Sequence, residues 1–111
     1  MRIVENKGIS KRDMVNIQAE SLTFRDLAGL DSFVIKGVAL CDNINNMTGE
    51  GNGAVVLNTS AGMASGVSTG IYSAAETMLQ LYTASEIVKG ITARIFVEET
   101  SGRERFVMVI E

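Results

Sequence analysis

The chain has 111 residues, 46% hydrophobic and 21% charged, which fits one globular domain with its own core and excludes a disordered segment. Its net charge of -3 lacks the basic excess of a duplex-DNA reader. Ten Lys and Arg can still gather on one face, because a partner feels local potential rather than total charge. Histidine is absent and Cys41 is the only cysteine, which excludes a Ser-His-Asp triad, a Cys-His pair, a His- or thiolate-held zinc and an internal disulfide.

In chain order, residues 1–9 read as a lead-in, and Ser10 with Asp13 reads as the start of a helix running to about Glu20. Ser21–Ser32 is a weaker segment in which Leu22, Phe24, Leu27 and Leu30 can pack. Phe33–Cys41 (FVIKGVALC) is nearly all apolar, too short for a typical helix, and predicts a buried strand with a bend or bulge at Gly37. Asp42–Gly53 is almost pure turn chemistry and predicts an exposed loop. Ala54–Thr59 and Val67–Tyr72 read as the second and third strands, joined by the small-residue segment Ser60–Gly66. Ser73 and Glu76 form a capping box that opens a helix over Ser73–Val88, ending near Gly90.

The end of the chain is the clearest part. Ile91–Glu98 alternates strictly, with Ile91, Ala93, Ile95 and Val97 on one face and Thr92, Arg94, Phe96 and Glu98 on the other. Glu99–Arg103 supplies a hairpin turn, and Phe106–Ile110 closes the sheet. The expected class is therefore mainly β with one or two helices. Its expected architecture is a five-stranded, OB-fold-like Greek-key barrel with a helix between strands 3 and 4. Residues 1–30 form a helical arm or lead-in and residues 31–111 the barrel, within one domain overall.

Nothing in the residues points to catalysis, a cofactor or a metal. Cys41 ends an apolar strand and reads as a small buried hydrophobe. Gly49, Gly51 and Gly53 precede a strand rather than the helix a phosphate loop needs, so they read as a hairpin loop. The candidate contacts are instead Lys36, Tyr72, Arg94, Phe96, Arg103 and Arg105. Arg94 and Phe96 share one face by period-two spacing. Arg103 and Arg105 flank the last hairpin, one of the loops that border the groove of an OB barrel. A cation beside an aromatic on an open sheet suits single strands, where each stacked base contributes about 1–3 kcal/mol. Phe96 can equally pack under the N-terminal helix, and Tyr72 can equally pack at a barrel rim.

Three stretches carry a family resemblance: ENKGISKRDM near the start, GVSTGIYSAAETMLQLY in the middle, and ITARIFVEETSGRERFVMVIE at the end. Over about half the chain they resemble the small single-stranded-DNA-binding proteins of phages and mobile elements of Gram-positive bacteria. The resemblance implies an OB-fold that coats single strands without sequence preference in phage replication or recombination, with Arg103 and Arg105 beside the groove and Tyr72 near it. No acidic tail follows the last strand in the given sequence, so the resemblance does not extend to tail-mediated recruitment.

The expected partner is thus single-stranded DNA, with RNA not distinguished from it, and exposed strand edges favour a homo-oligomer. No apolar run approaches the roughly 20 residues that span a bilayer, and no apolar segment follows the first residues. The expected location is the cytoplasm, that of the host if the gene belongs to a phage. The competing expectation is a small phage structural or host-interaction protein that acts through oligomerisation.

Overall fold

A computed structural model describes residues 2–17, 19–44 and 51–111, and it is mainly β. The long strand β2 (Phe33–Ile44) is its spine. One edge of β2 pairs antiparallel with β3 (Gly51–Thr59) from Ile35 to Ile44. The other edge is divided between two strands. Phe33–Ile35 pair with β5 (Ile91–Thr100), and Val38–Asp42 pair with β1 (Arg2–Lys7). Beyond β3 lies β4 (Gly62–Gly66), and beyond β5 lies β6 (Arg103–Ile110), so the order is β4-β3-β2-β5-β6 with β1 beside the far half of β2.

The division of β2 depends on Gly37. Pairing with β3 skips Lys36 there, which makes Lys36 the extra residue of a β-bulge. A Cβ at Gly37 would lie 2.9 Å from the Gly8 backbone and 2.6 Å from Ile9, so only glycine lets the two segments approach. After the bulge the strand's buried positions change parity. Ile35, Val38 and Leu40 enter the main core, while Ala39 and Cys41 face a second cluster.

Helices cover the two sides of the sheet unequally. On the inner side, α2 (Phe24–Ala28), α3 (Thr69–Leu81) and α4 (Ala84–Lys89) bury Phe24, Leu27, Ile71, Leu79 and Ile87 against the main core. On the outer side, the short α1 (Lys11–Asn16) and the residues flanking it set Ile9, Met14 and Ile17 on Ala39, Cys41 and Val56. Lys7 links β1 to the inner layer, because its ammonium donates to the carbonyls of Leu79 (2.6 Å) and Tyr82 (3.0 Å) at the end of α3.

Several expectations are corrected. Among the described residues the sheet has six strands where five were expected, and it is open, since β4 and β6 are not paired. The first strand lies in the supposed lead-in; all its side chains are exposed except half-buried Lys7, so no hydrophobic alternation marks it. The helix expected to reach Glu20 ends at Asn16.

The strand expected at Val67–Tyr72 is instead the start of α3, because the Ser68 hydroxyl accepts the Ile71 amide and caps the helix five residues before Ser73. The strand lies in the small-residue segment before it. There β4 pairs with β3, and Phe24 packs on Gly66, where a Cβ would lie 3.0 Å from its ring. The single helix expected to Val88 is broken at Tyr82, whose backbone is extended, and Thr83 with Glu86 closes a full capping box on α4. Both ends of the segment expected as a loop are strand: β2 runs to Ile44, which pairs with Gly51 of β3, and residues 45–50, Gly49 among them, lie outside the described residues.

Candidate nucleic-acid interface

The β5–β6 ribbon is built by alternation and by a tight turn. Ile91, Ala93 and Ile95 are buried on the inner side, and Thr92, Arg94 and Phe96 point outward. Ser101 (φ 53°) and Gly102 (φ 77°) close the two-residue hairpin between Thr100 and Arg103, and positive φ at both central positions gives the turn a twist that suits the ribbon. Residues directly opposite in an antiparallel pair share a face. The register therefore sets Val109 beside Arg94, Val107 beside Phe96, Arg105 beside Glu98, and Arg103 beside Thr100.

Among the described residues, α2 and α3 are the helices that pack closely on the ribbon, while α1 packs over β2 and β3, and the outer face keeps exposed side chains. Phe96 keeps 36% of its surface exposed. The Arg94 guanidinium sits over the Phe96 ring, 5.5 Å from its centroid. Its Nε is also 4.0 Å from a Glu111 carboxylate oxygen. Arg105 donates to Glu98 at 3.1 Å, across the strand pair. Arg103 makes no ion pair among the described residues. Three guanidiniums against two carboxylates leave this face with one excess positive charge on a molecule of net charge -3.

The inner face of the same ribbon has the opposite balance. Glu99 and Glu104 face each other across the strands, and Arg25 of α2 bonds Glu104 at 2.8 Å while lying 5.6 Å over the Phe106 ring. Phe106 meets Phe24 edge-on at 6.3 Å. A cleft of about 630 Å³ runs between the outer edge of β6 and the first turn of α3, lined in part by Ser68, Thr69, Arg105 and Phe106. A Cβ at Gly70 would collide with the Phe106 carbonyl oxygen, so glycine is what lets α3 lean on that edge.

Of the six residues singled out in the sequence, four meet on one surface: Arg94, Phe96, Arg103 and Arg105. Lys36 is exposed at the β2 bulge, beyond the start of β5. That is ten residues of strand from the hairpin tip, on the order of 30 Å. Tyr72 lies apart from the others. It is a helix residue whose ring packs on the backbone of Gly53. Val107 and Val109 were overlooked, although the alternation of Arg103, Arg105, Val107 and Val109 in RERFVMVI carries the signal. Arg25 could not be found this way, because no spacing in the sequence links it to Phe106.

Among the described residues no group of acidic or cysteine side chains is placed to hold a metal ion, and no helix is long and apolar enough to cross a membrane. Comparison with protein-family models, curated proteins and solved structures returned no match.

Proposed function

We propose that this protein binds single-stranded DNA, without catalysis, on the outer face of the β5–β6 ribbon. The observation that carries the reading is the meeting of three arginines and a half-open phenylalanine on one exposed face of the ribbon. Arg94, Arg103 and Arg105 would contact phosphates. Phe96 would stack a base, and Val107 and Val109 would give the bases an apolar floor. Binding by charge and stacking carries little sequence preference, which suits a coating role in phage replication or recombination.

The finer fold reading belongs with this proposal. An open sheet ordered β4-β3-β2-β5-β6, with two helices in the β4–β5 connection, supports an OB barrel parted between its third and fifth strands. OB barrels commonly hold their ligand over the second and third strands. The matching face here is that of β3 and β4, where Val56 and Met63 lie under α1. The bound strand is therefore assigned to β5 and β6 instead.

Fluorescence anisotropy with labelled oligo-dT at low and high salt tests the reading. Affinity should fall steeply with salt, and Arg103→Ala with Arg105→Ala should weaken binding and flatten the log–log salt slope by about 1.4, or 0.7 per lost phosphate contact. No binding at micromolar protein in low salt would remove the proposal. Duplex and RNA probes run alongside separate the nucleic-acid classes.

A second reading rests on the unpaired outer edge of β6 and on Phe96, Val97 and Ile110, which stay exposed near it. These suit a homo-oligomer acting as a phage structural or host-interaction protein. A stable oligomer in light scattering with no response to oligonucleotide would select it.

A further inference from the structure

We infer that Glu98 is a built-in competitor for the nucleic-acid strand: its carboxylate holds the Arg105 guanidinium as a phosphate would, and binding proceeds by exchange of one for the other. The inference rests on the proposed binding face and concerns how that face is regulated. Three observations carry it. Glu98 and Arg105 are directly opposite in the β5–β6 register, so both side chains leave the sheet on the same side. The guanidinium bonds the carboxylate oxygen at 3.1 Å, and the Glu98 side chain is less exposed than that of Arg105 (43% against 65%). Arg94 has a looser acidic neighbour in Glu111 at 4.0 Å, and Arg103 has none among the described residues.

The three arginines are thus graded. Arg103 is available at once, Arg94 lies over Phe96 with a distant carboxylate, and Arg105 must release Glu98 first. An exposed ion pair of this kind is weak, so a polyanion that already contacts Arg103 and Arg94 can displace it. A lone monovalent anion at Arg105 gains one contact and must break one. At Arg105, Glu98 therefore favours long strands over isolated phosphates and holds the strand loosely enough to be removed.

The experiment compares wild-type protein with Glu98→Gln, Glu99→Gln, Arg105→Gln and the Glu98→Gln/Arg105→Gln double variant, by oligo-dT anisotropy at low salt. Glu99→Gln removes the same charge from the opposite face of the ribbon and serves as the control. Glu98→Gln should bind about 3- to 10-fold tighter, the scale of one exposed ion pair plus one removed like charge, and the gain should vanish at high salt. In the Arg105→Gln background the gain should shrink below about twofold, because no guanidinium remains to be released. Wild-type binding with no difference between Glu98→Gln and Glu99→Gln overturns the inference and leaves the face intact. A gain that persists without Arg105 also overturns it, since the effect is then general repulsion. No binding by any variant removes the face itself.

Discussion

At the scale of single residues, capping carboxylates join local structure to pH. Asp26 and Glu86 each close a capping box. The Thr23 backbone amide, and then its hydroxyl, hold the Asp26 carboxyl below its ordinary value of 3.8. The Thr83 amide and hydroxyl do the same for Glu86, whose ordinary value is 4.5. A carboxyl whose folded pKa is depressed favours the native state above its unfolded pKa, and that contribution is lost as pH falls through the folded value. Thermal unfolding followed from neutral pH down through the ordinary values and below should therefore show a steeper loss for wild type than for Asp26→Asn/Glu86→Gln. Parallel curves would mean that the two boxes do not couple to protons. Cys41 titrates in the opposite sense: burial raises its thiol, which suits a packing residue rather than a nucleophile.

At the scale of elements, the break between α3 and α4 is set by one side chain. Tyr82 leaves the helical region, and the Thr83 hydroxyl accepts the Glu86 amide at 3.2 Å. Thr83→Ala should cost about 1 kcal/mol, read as a lower urea midpoint at unchanged m-value. A neutral or stabilising result would indicate one continuous helix across Tyr82.

The same region shows how far elements are legible from sequence. The β5–β6 ribbon was readable because one face is buried and the other is not, so polarity alternates with the pleat. The bulge at Gly37 was readable because an isolated glycine in an apolar strand needs a reason. By contrast, Val67–Tyr72 carries β-branched and aromatic residues that favour a strand, and the Ser68 cap overrides that local preference. A strand with almost every side chain in solvent, as in β1, leaves no pattern to read. In the candidate site, period-two spacing brought Arg94 to Phe96 correctly, yet it could not anticipate that Tyr72 would lie on a helix.

At the scale of the molecule, coverage of the sheet divides structural from candidate binding surface. The N-terminal third is part of the structure: Phe24 and Leu27 lie in the main core, and Met14 and Ile17 cover the outer side of β2 and β3. With those faces occupied, strand side chains remain open on β1 and on the ribbon, and the ribbon's outer side has a small positive excess while its inner side is acidic. This separation within one hairpin accounts for a guanidinium-bearing face on an acidic protein, since the field a ligand meets is set within about a Debye length.

The shared flanks of β2 have a dynamic consequence. Nearly every stretch of that strand is hydrogen-bonded on both sides, by β3 on one and by β5 or β1 on the other, and Val38, Ala39 and Cys41 are sealed from solvent. Its amide protons should be the last in the molecule to exchange with deuterium, at rates set by global opening. Those of Thr100–Arg103 should exchange within the earliest time points, because that end of the hairpin has no core beneath it. The ribbon tip can then fray and re-form many times within the lifetime of a single folded molecule.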